Sequence, residues 1–155
     1  MLLTDTNLPA ERERVQQLIA MVPVGLSSAL DVGAADCHIA ALLADRIPSV
    51  TAVDVEQPQT SDARVRTVQG DVTSLAFGDK TFDMVVCSQV IEHIEPALLQ
   101  KACDELSRVA GRFALIAVPY RQDIRFGRMT CSACGARNYP YGHLSSFDEQ
   151  RLHVL

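Results

Sequence analysis

With 155 residues, 48% of them hydrophobic and 21% charged, the chain is the size of one domain and has ample material for a single core. Fourteen basic against nineteen acidic residues give a formal net charge of −5, which argues against a nucleic-acid surface, because that requires a basic stripe. The first residues (MLLTDTNLPAERER) lack a basic start before an apolar stretch, and the apolar runs fall far short of the roughly 20 residues of a membrane helix. The expectation is a soluble, cytoplasmic protein. Cys37, Cys87 and Cys103 stand singly in apolar segments, as small buried hydrophobes do, and Cys131 and Cys134 form the one close pair, which is no disulfide framework.

Residues 8–22 place Leu8, Val15, Leu18, Ile19 and Val22 on one stripe, predicting an amphipathic helix with Asn7 as its cap. SALDVG (28–33) predicts the first strand, and a helix follows from Asp36, in capping position, with Pro48 just past its end. VTAVDV (50–55), VRTVQGD (65–71) and FDMVVCS (82–88) predict strands two to four. Pro96 opens a second long helix, with Leu99, Cys103, Leu106 and Val109 at helical spacing and Gly111 ending it, before a fifth strand at 112–120. Continuous apolar strands alternating with helices predict an α/β fold, a mostly parallel sheet covered by helices on both faces. The connection Glu56–Ala63 carries Pro58 and is too short for a crossover helix, so it must be tight or irregular.

Open α/β sheets bind ligands beyond the carboxyl ends of their strands, and four of these five strands end in a carboxylate or small polar residue. Gly33 permits a sharp first turn, and Ala34 and Ala35 allow close backbone approach. Asp54, with Val55 after it, can accept from both hydroxyls of a ribose. Gly70-Asp71-Val72 offers a carboxylate to an exocyclic amine, and the fourth strand ends at Ser88-Gln89, followed by Glu92 and His93. The bland reading of each stays open: turn or cap roles for Asp31, Asp36 and Asp71 and strand termination for Asp54, while Glu92 either orients His93 or, the favoured reading, is a solvated first-turn carboxylate.

Taken together, ALDVGAADC, VTAVDVE, VQGDVTSLAFGDKTFDMVVCSQVIEHIEP and RFALIAVPY resemble, in order and spacing, the successive motifs of class I (Rossmann-like) S-adenosylmethionine-dependent methyltransferases, from about residue 28 to 120. The resemblance implies that the Asp31–Cys37 loop passes under the methionine part of S-adenosylmethionine. It further implies that Asp54 holds the ribose, that Asp71 and Val72 border the adenine, and that Ser88 and Gln89 line the wall beside the sulfonium. Ala35 and Cys37 stand where the family usually has further glycines, and the cysteine is expected to crowd the methionine carboxylate. The short second crossover removes a helix that normally helps to cover the adenine. If a general base is used, His93 is the candidate, since an imidazole titrates near neutrality; a structural histidine at a helix start is the equal alternative.

In the tail, Cys131-Ser-Ala-Cys134-Gly followed by Tyr139-Pro-Tyr141-Gly-His143 resembles a small metal-binding insertion of some related methyltransferases, in which a second histidine would stand at Tyr139. Zinc on Cys131, Cys134 and His143, a pair of reduced thiols and a redox pair are the alternatives. Residues 147–155 start like a terminal helix, after which the family's usual last two strands would follow; nothing here can form them, so the fifth strand should present an edge, covered by the insertion or paired with another chain. The whole, 1–155, then reads as one domain: a cofactor-binding core (1–120), an insertion (121–146) and the start of a helix (147–155). The functional expectation is methyl transfer to a small-molecule acceptor. The rival is a catalytically inactive cofactor-binding or scaffold protein. A nicotinamide oxidoreductase is disfavoured, because the first turn lacks the third glycine of GxGxxG and Asp31 would oppose a pyrophosphate.

Overall fold

Strands of five to eight residues pair side by side, the central three being buried by their neighbours and by helices packed above and below. The computed structural model describes residues 8–138 and 140–155. Ser28–Val32 (β1), Ser49–Asp54 (β2), Val65–Gln69 (β3), Phe82–Ser88 (β4) and Ala110–Ala117 (β5) form one sheet of order β3-β2-β1-β4-β5, with every pairing parallel. β1 lies at the centre, paired with β2 on one side and β4 on the other, and none of Ala29, Leu30, Asp31 and Val32 is more than 3% exposed. The chain leaves β1 for β2 in one direction and returns to β4 in the other, and this reversal opens a crevice beyond the strands' carboxyl ends.

Alternation along β1 sorts the core into two layers. Ala29 packs with Val15, Leu18 and Ile19 of helix α1 (Pro9–Ala20) and with Ala40 and Leu43 of α2 (His38–Ala44). Leu30 and Val32 pack with Leu99, Ala102, Leu106 and Val109 of α3 (Leu99–Val109) and with Phe147. Helices thus cover both faces. Leu106 is 1% exposed within the second layer, and Leu106→Ala should cost about 2–5 kcal/mol, read as a lower denaturant midpoint at unchanged slope.

Several boundaries differ from the sequence reading for local reasons. Cys37, not Asp36, occupies the N-cap of α2, in a left-handed conformation (φ 61°), while the Asp36 carboxylate accepts from the His38 N–H at 3.1 Å. α3 begins three residues after Pro96, because the Leu98 N–H first closes a turn onto the Glu95 carbonyl (2.8 Å). Its last residue runs straight into β5, where Ala110 pairs with Phe82 and a register shift before Met84 absorbs the change of geometry; Gly111 is a strand residue, not a helix stop. The Asn7 cap lies outside the described residues.

The β2–β3 connection contains no helix, in keeping with its length. Arg64 stiffens it, forking onto Asp62 and reaching Asp45 after α2. Beyond β5 the chain forms a two-stranded antiparallel hairpin, Met129–Thr130 (β6) and Arg137–Asn138 (β7), that the sequence did not signal. A short helix α4 (Glu149–His153) follows, capped by the Asp148 carboxylate through the Arg151 N–H. β5 is an edge strand, exposed along Gly111–Ala114. Just past it, Tyr120 bridges to Phe147 and the Arg121 N–H donates to the Phe147 carbonyl, so the contact comes from the segment entering α4. No described helix is long and apolar enough to cross a membrane.

Candidate functional site

The carboxyl ends of β1, β2, β3 and β4 open into one cleft of about 820 Å³. All eleven residues expected there from sequence line it: Asp31, Gly33, Ala34, Ala35, Asp54, Val55, Gly70, Asp71, Val72, Ser88 and Gln89. The β1 turn is built for close approach. Gly33 (φ 75°) and Ala34 donate their N–H groups to the Val53 carbonyl at 2.8 and 3.2 Å, and a Cβ on Gly33 would sit 2.1 Å from Val90 Cγ2. Ala35 (φ 44°) and Cys37 (φ 61°) keep the left-handed backbone that glycine adopts most easily, at a cost of about 1–2 kcal/mol each. The Cys37 side chain does not crowd the cleft: it is 1% exposed and packs into the layer under α1 and α2, where burial pushes its thiol pKa up.

The three carboxylates differ in environment. Asp31 is 1% exposed; it takes a hydrogen bond from the Ala40 N–H, and Oδ2 has no partner. Burial, with the neighbouring Asp36 and Asp54 charges, pushes its pKa up to about 7. Asp54 is half-buried and accepts from the Ala35 N–H (3.0 Å) and the Glu56 N–H (3.4 Å), which ties the ends of β1 and β2 together. Asp71 is exposed; the Thr73 N–H and hydroxyl both donate to its Oδ1 and hold its pKa down, leaving Oδ2 for another donor. Its turn role and a ligand role are therefore compatible. Gln89 (φ 59°) donates its N–H to the Ala117 carbonyl, which turns the chain out of β4.

Arg14 and Glu11 are among the lining residues that escaped the sequence reading. Arg14 of α1 forks onto Glu11 and donates to the Ser88 hydroxyl, closing one wall of the cleft. Helical periodicity puts both on the polar face, which reads as solvent-facing; no local signal reports a partner 74 residues away.

Beside Gln89 the chain makes a 3₁₀ turn, Ile91–His93. The reading of Glu92 as a solvated carboxylate is corrected: it is 0% exposed, neither carboxylate oxygen has a hydrogen-bond partner, and burial raises its pKa to about 7. The Leu144 and Ser145 N–H groups donate to its main-chain carbonyl, which docks the 140–146 segment here. His143 is thereby set edge-on to His93, with ring centroids 4.6 Å apart, and its Nδ1 meets Gln122 Oε1. Both histidines line the cleft, and His93 is exposed.

That docking separates His143 from the cysteines with which it was expected to act. Cys131 and Cys134 sit in the β6–β7 turn, where the Cys131 N–H bonds to Ala136 and the Gly135 N–H to Cys131. The Cys134 N–H, then the Ala133 N–H and the Cys134 side chain, lower the Cys131 thiol pKa. This is half of a thiolate knuckle. Among the described residues no third nitrogen, sulfur or carboxylate ligand joins it, and the one group of three potential metal ligands is Glu92, His93 and His143. Tyr139 lies outside the described residues.

Comparison with known proteins accords with the fold. Residues 30–115 match the family model described as a methyltransferase domain. An uncharacterized methyltransferase of Mycobacterium tuberculosis is 42% identical over 85 residues, which are 50% of this chain and 43% of that protein; the chain thus spans less than half the length of the curated relatives it matches. Among solved structures, a Pyrococcus horikoshii protein is 28% identical with a TM-score of 0.60, over 73% of this chain and 61% of its own. The 1,6-didemethyltoxoflavin-N1-methyltransferase of Burkholderia thailandensis, solved with 1,6-didemethyltoxoflavin and S-adenosylhomocysteine, has a TM-score of 0.68 over 95% of this chain and 65% of its own. At 23% identity it is similar in fold alone.

Proposed function

We propose that this chain, which belongs to the methyltransferase-domain family, binds S-adenosylmethionine in the cleft and passes its methyl group to a small-molecule acceptor. The observation that carries this reading is the convergence of Asp31, Asp54 and Asp71 on one cleft floored by the Gly33-Ala34-Ala35 turn. The residues fit the cofactor on two counts. The unpaired, buried Oδ2 of Asp31 awaits a donor, and an ammonium group placed there would ionise the carboxyl. Gly33, having no Cβ, lets the Val90 side chain of the cleft wall pack directly against the turn instead of being pushed into the cleft.

In this reading Asp54 accepts from the ribose hydroxyls and, because the Ala35 and Glu56 N–H groups hold its two oxygens in place, keeps the nucleoside in register with the β1 turn. Asp71 and Val72 border the adenine, and Ser88 and Gln89 the sulfur. When bound, the cofactor supplies an already activated methyl group. The chain's task is then to orient the acceptor for in-line displacement, and orientation alone can contribute on the order of 7–11 kcal/mol. With no metal on its imidazole, His93, exposed on the cleft wall, is the group placed to take a proton from the acceptor. The net charge of −5 favours a small acceptor over nucleic acid.

Calorimetry with S-adenosylmethionine, S-adenosylhomocysteine and NAD tests the proposal. The first two should bind and NAD should not. Asp54→Ala, which removes two charge-assisted hydrogen bonds, should weaken S-adenosylmethionine about 100-fold. Binding of NAD, or indifference to Asp54→Ala, would overturn the assignment. Transfer of a radiolabelled methyl group to a panel of small acceptors distinguishes an enzyme from a protein that only binds the cofactor.

A further inference from the structure

We propose that Glu92, His93 and His143 form a binding site for a divalent transition-metal cation in the wall of the cleft. One ligand atom from each lies within 4.8 Å of the other two. A tetrahedral ion with bonds of about 2.1 Å holds its ligand atoms about 3.4 Å apart, so small side-chain rotations close the site. The independent sign is Glu92. It is fully buried, its carboxylate lies within 4.8 Å of a ring nitrogen of each imidazole, and neither oxygen has a hydrogen bond. A buried acid without a partner is costly, and a cation shared with two imidazoles removes that cost.

The surroundings match what metal ligands require. Gln122 Oε1 faces His143 Nδ1 and, as an acceptor, keeps the proton there, which leaves the lone pair of Nε2 free. The Leu144 and Ser145 N–H bonds to the Glu92 carbonyl fix the loop that carries His143 against the turn that carries the other two groups. Two imidazoles and one carboxylate suit zinc, cobalt, nickel or iron rather than calcium or magnesium, which prefer all-oxygen sets. Three protein ligands leave coordination positions open, and both histidines line the cleft, so an oxygen- or nitrogen-bearing acceptor would meet the ion there. That last step rests on the methyl-transfer reading; the cation site does not.

The test must be blind to the knuckle thiols. The full chain carrying Cys131→Ser and Cys134→Ser is stripped with chelator and titrated with Co²⁺ by visible absorption and with Zn²⁺ by calorimetry. One equivalent of each should bind, and the cobalt bands should lack thiolate charge transfer. His93→Ala, at an exposed position, and His143→Ala, both in that background and checked for fold by circular dichroism, should each weaken binding at least tenfold. Absence of binding in the serine background, or binding unmoved by both histidine substitutions, would overturn the site. As a second measurement, in the unaltered chain the same histidine substitutions should remove the cobalt bands that carry no thiolate absorption. S-adenosylmethionine affinity, measured on the same proteins, reports separately on the cofactor reading.

Discussion

Gly33→Ala should destabilise the protein by about 3–5 kcal/mol and sharply weaken S-adenosylmethionine binding, whereas Gly25→Ala should cost only about 1–2 kcal/mol and leave binding unchanged. The two glycines have nearly the same backbone conformation, φ 75° and 76°, so the left-handed strain of an added Cβ is common to both. What differs is the space. At Gly25 nothing lies within 4 Å, whereas at Gly33 the new methyl would sit 2.1 Å from Val90 Cγ2. Val90 belongs to the cleft lining and can yield only by shifting within it, so strain relieved in the fold reappears as crowding of the cofactor. Denaturant midpoints of the two variants isolate the steric part as their difference, and calorimetry reads the second effect. Equal losses of stability at the two positions would show that the close packing at Gly33 is unimportant.

The second large effect concerns pH. Asp31 has its pKa raised to about 7, against an ordinary 3.8, by burial first and by the Asp36 and Asp54 charges after it. Its contribution to stability is complete below about pH 4, where the carboxyl is protonated in both the folded and the unfolded chain. Between about pH 4 and 7 the unfolded chain releases this proton and the folded chain keeps it, so stability falls by up to about 1.4 kcal/mol per pH unit. Above pH 7 both states are ionised and the decline ends. Asp31→Asn, which cannot ionise, should make that part of the curve shallower, leaving the decline that the buried Glu92 contributes in the same range. Cofactor binding should act on the same proton: an ammonium group beside Asp31 expels it, so at pH 6 the measured binding heat should vary with the ionisation heat of the buffer. Parallel stability curves for the wild type and Asp31→Asn would sink this account.

The strands at the centre of the sheet were readable because both of their faces are buried. FDMVVCS was bounded correctly to the residue, as a continuous apolar run carries its own limits. The strand-end carboxylates were readable for a related reason: a polar residue closing an apolar run marks where the chain leaves the sheet. Boundaries set by hydrogen bonds between distant segments were not. Gly111 looks like a helix terminator, yet its neighbour Ala110 already pairs with Phe82, so Gly111 lies inside β5. His143 was grouped with Cys131 and Cys134 because they are near in sequence, but two N–H bonds to the Glu92 carbonyl decide where it goes. Glu92 itself sits in a single 3₁₀ turn, too short to show periodicity, and its burial depends on a segment about fifty residues further on.

The central place of β1 also governs how fast the chain can reach this arrangement. Its partner on one side, β2, follows within about twenty residues, but its partner on the other, β4, brings Met84 against Ala29 across 55 positions of chain. Closing so long a loop costs entropy before any contact repays it, and each such parallel pairing adds to the delay. Refolding should therefore occupy milliseconds to seconds rather than microseconds, with the half of the sheet built from β1 to β3 left waiting, one flank uncovered, until β4 arrives.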